Sequence, residues 1–184
     1  AEQGDDIGAP KRRSMFSSML FGRGGVPSSS RTSVGVSAKA HGAKLKAKGD
    51  VSGALLALEA GLAAAPDDSV AFHAAIAQCH VLRRDFGLAC RHFGAALDDA
   101  GREASNEPRF RKVLDAEFFF AMGDACHRQQ LQQQCVFAYE SALELSNKPK
   151  ATNMSSVHYQ LGVACRDLNQ LARAVEHFQK VAKP

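Results

Sequence analysis

Five cysteines (Cys79, Cys90, Cys126, Cys135 and Cys165) and seven histidines are the side chains of this 184-residue chain best suited to hold a metal, act as nucleophiles or exchange electrons. Two of each stand side by side, as Cys79-His80 and Cys126-His127. Neighbouring side chains on a helix point roughly 100° apart, so neither pair chelates by itself. His73 and His80 lie two helical turns apart, too far for one metal without a third ligand between them. No two cysteines have the CxxC spacing of a redox or zinc motif. An odd cysteine count with no leading secretory signal argues against a disulfide framework and for an intracellular, reducing setting. A cytoplasmic or ciliary location is favoured there, with an organellar one as the alternative. The cysteines read as small apolar packing residues.

Catalytic motifs are equally sparse. The run "GRGG" at residues 22–25 lacks the Lys-Ser/Thr and the preceding strand that a phosphate loop needs. There is no HExxH and no nucleophile motif with a local base. The expectation is a protein with no catalytic residues, no cofactor and no metal.

The elements that carry these residues follow from composition. Apolar residues make up 45% and aromatics 7%, alanine is abundant, and β-branched runs are scarce, which favours helices. No run of eighteen or more apolar residues spans a membrane. Residues 1–34 are rich in Gly, Ser and Pro and read as a low-complexity basic tail. From residue 35 to 184, apolar residues recur at intervals of three and four, broken at "KGD", "APDD", "RRD", "GREASNEP", "SNKPK" and "RDLNQ". This predicts eight helices and no strand. In the longest break, Gly101 is placed to end one helix, Asn106 to cap the next, and Pro108 to sit near its first turn. In "SNKPKATNMSS", Pro149 stops a helix and Asn153 caps the following one.

The helices repeat. A small residue anchors every second one (Ala54, Ala89, Cys135, Ala174), with a bulky residue four places later (Leu58, Phe93, Tyr139, Phe178) and Gly61, Ala96, Ala142 and Val181 three places beyond that. Twelve residues before the anchors stand Gly42, Ala77, Gly123 and Gly162. A glycine inside a helix costs roughly 1 kcal/mol relative to alanine, so its recurrence points to a close helix crossing. The bulky residues are then expected to fill the gap to the next helix pair.

These units resemble tetratricopeptide repeats, helix-turn-helix modules of about 34 residues. Four are recognised, at about 35–69, 70–104, 116–148 and 155–184. The resemblance implies an all-α array stacked into a right-handed superhelix with a concave groove that binds other proteins. It also implies that the first helix of each repeat lines the groove, with Lys39 and Lys46, then Gln78, then Glu117, Phe120, Asp124 and His127, then Tyr159 and Arg166. Phe120 and Tyr159 would be the aromatic anchors. In this family, co-chaperones grip the C-terminus of heat-shock chaperones through a five-residue carboxylate clamp. The corresponding positions here are Lys39, Ala43, Gln78, Phe120 and Asp124, with one match in five, so that ligand is not expected.

The tail adds a second element. In "KRRSMFSSMLF", Lys11, Arg12 and Arg13 precede Met15, Phe16, Met19, Leu20 and Phe21, a short amphipathic stretch able to dock on a partner. The net charge of +4 is mild. Lys39, Lys44, Lys46 and Lys48 with the basic tail leave RNA or the acidic surface of tubulin as an alternative ligand, with nucleic acid the weaker expectation. The leading expectation is a non-catalytic protein–protein scaffold or adaptor within a larger assembly of ciliary or cytoskeletal, transport or organellar type.

Overall fold

A computed structural model describes residues 28–102, 108–146 and 154–181. Its helices are α1 (Ser28–Ala47), α2 (Val51–Ala64), α3 (Ser69–Leu82), α4 (Phe86–Arg102), the one-turn α5 (Pro108–Arg111), α6 (Ala116–Arg128), α7 (Gln132–Leu145), α8 (Met154–Asp167) and α9 (Leu171–Val181). No strand occurs among the described residues. None of the described helices is long and apolar enough to cross a membrane.

The long helices associate as four antiparallel pairs, α1/α2, α3/α4, α6/α7 and α8/α9, and each pair stacks on the next through α2–α3, α4–α6 and α7–α8. The turn inside each pair is the same device. Gly49, Arg84, Gln130 and Asn169 all have positive φ, at 84°, 63°, 57° and 60°. One residue on, the backbone N–H groups of Asp50, Asp85, Leu131 and Gln170 donate to the carbonyls of Leu45, His80, Cys126 and Cys165 at 2.8–3.0 Å. That bond from beyond the helix end back into its last turn reverses the chain and satisfies a carbonyl the helix leaves open. Only the first pair spends a glycine on it.

The recurrent small residues mark close crossings, but with a different partner from the one expected. A Cβ added to Gly42 would lie 2.7 Å from Leu58, one on Gly123 2.7 Å from the Tyr139 ring, and one on Gly162 2.5 Å from Phe178. The bulky residue therefore fills the space above the glycine of its own pair. Phe93 does reach the next pair as expected, its edge set against Phe118 of α6 with ring centroids 5.0 Å apart, and at the first junction the close contact is Gly61, where a Cβ would meet Phe72 of α3 at 2.5 Å. Leu58, Phe93 and Tyr139 are almost wholly buried, and burying each such side chain is worth about 1.5–3 kcal/mol.

Two further differences concern boundaries. Helix α1 begins at Ser28, seven residues inside the stretch read as tail. Its Gly35 is buried, with space for a Cβ only 3.0 Å from Ala65, so this turn of helix belongs to the packed array. Helix α4 runs through Gly101 to Arg102. Pro108 does open a helix, the short α5, yet the cap of the long α6 is Asp115, whose carboxylate accepts from the Phe118 N–H at 2.9 Å. Asn106, Pro149, Asn153 and the tail residues 1–27 lie outside the described residues.

Candidate functional site

The leading helices α1, α3, α6 and α8 share one side of the array, and two adjoining depressions run across it. The larger, of about 1160 Å³, is lined by Val81 and Leu82 at the end of α3, Arg84 and Phe86, then Phe120, Asp124, His127 and Arg128 of α6, and Ser156, Gln160 and Asp167 of α8. The smaller, about 400 Å³, shares Val81 and Leu82 and continues over Ala121, Gln78, Ala43 and Lys46.

Within this groove most polar groups already have partners. Tyr139 reaches up from α7 and donates its hydroxyl to Asp124 at 2.5 Å. Burial, with the Asp124 carboxylate beside it, pushes the phenol far above its usual range, so it stays protonated and donating. Lys46 donates to Gln78 at 2.8 Å, which ties α1 to α3. Gln132 donates to Asp167 at 3.2 Å. Arg128 lies over the Phe86 ring at 5.9 Å. Two buried atoms of groove residues, His127 Nδ1 and Gln132 Oε1, make no hydrogen bond. Leu82 is 59% exposed at the junction of the two depressions.

The expected groove residues separate on this geometry. Phe120, Asp124 and His127 meet in the larger depression, and Lys46 and Gln78 in the smaller. Phe120 is half-buried, its ring 5.9 Å from that of Tyr139, so it is a wall of the groove and packs on the core at once. Lys39 is elsewhere, paired with Asp68 at 2.9 Å and set over the Phe72 ring. Tyr159 is exposed and leans on Phe178, Arg166 pairs with its neighbour Asp167 at 2.8 Å, and exposed Glu117 lines neither depression.

The repeated pairs, the shared left-handed turn and the glycine crossings are one module used four times, and residues 155–183 match the tetratricopeptide repeat family. The array as a whole has the fold of tetratricopeptide-repeat structures. Its right-handed superhelix is similar to solved structures of other such arrays. One MamA crystal structure is 18% identical, covering 82% of this chain and 72% of that one with a TM-score of 0.60. MamA from Desulfovibrio magneticus RS-1 is 19% identical over 80% of this chain and 73% of that one, TM-score 0.57. PilF of Pseudomonas aeruginosa is 20% identical over 83% and 61%, TM-score 0.55. At these identities the likeness is one of fold. No curated protein matches the sequence.

Two histidines, His73 and His158, stand at equivalent places on the leading helices of the second and fourth pairs. His73 meets His92 of α4 with Nδ1 atoms 3.0 Å apart, and at the equivalent place His158 meets His177 of α9 at 3.1 Å. His92 also stands between His73 and His80, its ring stacked on His80 at 5.5 Å. Among the described residues, however, no three His, Cys, Asp or Glu side chains are disposed to hold a metal ion. Burial first, then the neighbouring His73, His80 and Arg91, depress His92 to about 4. In each pair the two Nδ1 atoms are within reach of one N–H···N hydrogen bond, with donor and acceptor set by the tautomers.

Sequence reasoning missed Val81, Leu82, Arg84, Arg128, Gln132 and Gln160. All but Gln160, which is mid-way along α8, stand at helix ends and in the turns, whereas the family pattern points to helix centres. The signal for Arg84 was present in the sequence, since it occupies the turn position that Gly49 holds in the first repeat.

Proposed function

We propose that this array is a non-catalytic protein–protein scaffold whose concave face, from Lys46 to Gln160, takes an extended segment of a partner protein. The observation that carries this reading is the continuous pair of depressions joined at exposed Leu82. An apolar side chain of the partner would rest on Val81, Leu82 and Ala121, and acidic or carbonyl groups would lie near Arg84 and Arg128. Burying Leu82 and its neighbours supplies the gain, and a preformed groove keeps the ordering cost on the partner's side. The tail residues Arg12, Arg13, Met15, Phe16, Met19, Leu20 and Phe21 form a second contact in a larger assembly, and two linked contacts raise avidity. The basic-patch alternative is the weaker reading, because two of its four lysines, Lys39 and Lys46, are engaged by Asp68 and Gln78. A chaperone carboxylate is disfavoured by the Asp124 carboxylate in the groove.

The test is site-resolved photo-crosslinking of the full chain in native extract, with the probe at Gln78, Gln160 or, on the trailing helix α9, Glu176. Adducts at Gln78 and Gln160 that Leu82→Asp abolishes, with helicity intact by circular dichroism, are the expected result. Adducts confined to Glu176 and indifferent to Leu82→Asp would overturn the groove.

A further inference from the structure

Cys90 and Cys126 are 36 residues apart in sequence, yet their Sγ atoms lie 3.7 Å apart where α4 of the second repeat packs against α6 of the third. A disulfide needs about 2.05 Å between sulfurs, so rotation of the two side chains with a small approach of the helices closes the gap. The two thiols differ in access. Cys126 is 1% exposed, whereas Cys90 is half-buried at the edge of the same contact. We propose that Cys90 and Cys126 are a hydroperoxide-responsive thiol pair, Cys90 the reacting sulfur and Cys126 the resolving one, that closes into a disulfide across the second and third repeats.

The electrostatics run in the direction these roles need. A hydrogen bond from Cys126 draws the Cys90 thiol below its ordinary range in spite of burial, and the same bond, with burial, pushes Cys126 up. Thiolate is the nucleophile, so Cys90 attacks the terminal oxygen of the hydroperoxide. The O–O bond breaks, water or an alcohol leaves, and Cys90 becomes a sulfenic acid, oxidised by two electrons. Its negative charge is then gone and Cys126 is no longer held protonated by it. Cys126 Sγ attacks Cys90 Sγ, the S–O bond breaks, and the departing hydroxide takes the Cys126 proton to leave as water. Two thiols and one hydroperoxide thus give one disulfide, one water and one further water or alcohol.

The chain carries its own controls. Cys79, Cys135 and Cys165 are each buried and shifted upward chiefly by desolvation, Cys135 to about 12, so none is poised to react. The closed bond would tie together two repeats that both line the larger depression, beside His127. The inference stands independently of what the groove binds.

The experiment treats the reduced full chain with graded hydrogen peroxide, blocks free thiols with N-ethylmaleimide, and reads intact mass and non-reduced peptide maps. The expected product is a monomer that has lost two hydrogens, with Cys90 joined to Cys126 and the other three cysteines reduced. In Cys126→Ser a sulfenic acid trappable by dimedone accumulates on Cys90, and in Cys90→Ser the fast oxidation disappears. A sulfenic or sulfinic acid persisting on Cys90 of the intact chain would overturn the proposal. So would a disulfide-linked dimer, or oxidation of Cys90 no faster than that of Cys135.

Discussion

At the scale of single residues, the same substitution has opposite meanings at two helical glycines. Gly123 sits under the Tyr139 ring, with 2.7 Å for a Cβ, whereas Gly94 has nothing within 4 Å. Gly123→Ala forces the ring or the helix to move, and overpacking of this kind costs about 1–3 kcal/mol. Gly94→Ala adds helix propensity and removes chain entropy from the unfolded state, a gain of about 0.4–1 kcal/mol. Urea unfolding of the two variants checks both signs. The glycine spacing was readable because a tight crossing demands the same small residue every time it recurs. That the space above Gly123 belongs to Tyr139 was not readable. Periodicity identifies which side of a helix is apolar, not whether a ring turns inward over its own pair or outward to the next. Asp124 shows the same limit: as a residue type it reads as a groove charge, yet it holds the Tyr139 hydroxyl.

At the scale of elements, the turns and the paired histidines give two expectations. Gln130 holds a left-handed conformation at φ 57° that costs an ordinary residue about 1–2 kcal/mol. Gln130→Gly relieves it, partly offset by the entropy glycine brings to the unfolded chain, so a net gain of about 0.5 kcal/mol is expected from urea unfolding. The histidine pairs give a pH dependence. His92 lies near 4 in the folded chain, and His158 and His177 are also lowered, first by burial and then by neighbouring charges such as Lys180. The unfolded chain takes up these protons near pH 6.5 while the folded one resists. The stability of neutral pairing is therefore present above about pH 6.5 and is lost as pH falls toward 4. The urea midpoint is expected to drop across that window, and His92→Phe to flatten the drop. Pairing, turn positions and the eight long helices were legible because apolar period and breaker residues are local signals, whereas the one-turn α5 was not. The meeting of His73 with His92 was hidden, since the chain has to fold back over a separation of 19 residues to make it.

At the scale of the whole molecule, four modules that cannot each bury an apolar face become stable by stacking. The stack leaves one concave side where the ends of α3 and α6 and the body of α8 converge. The architecture was legible from repetition, and the groove only in part: Phe120, Asp124, His127, Lys46 and Gln78 line it, while Lys39 is drawn to Asp68 and Tyr159 to Phe178. Salt partners and ring contacts made between helices distant in sequence decide those outcomes, and no single helix carries that information. The most direct test selects peptides from a random library on the full chain and titrates them calorimetrically against the intact protein, Leu82→Asp and Val175→Asp. Val175 is 53% exposed, close to the value for Leu82, but belongs to the trailing helix α9. The account predicts at least about a tenfold loss of affinity for Leu82→Asp, the ~1.4 kcal/mol or more expected from removing an apolar anchor, and none for Val175→Asp. Peptides that bind Leu82→Asp as tightly as the intact chain, or that are lost with Val175→Asp alone, would contradict it.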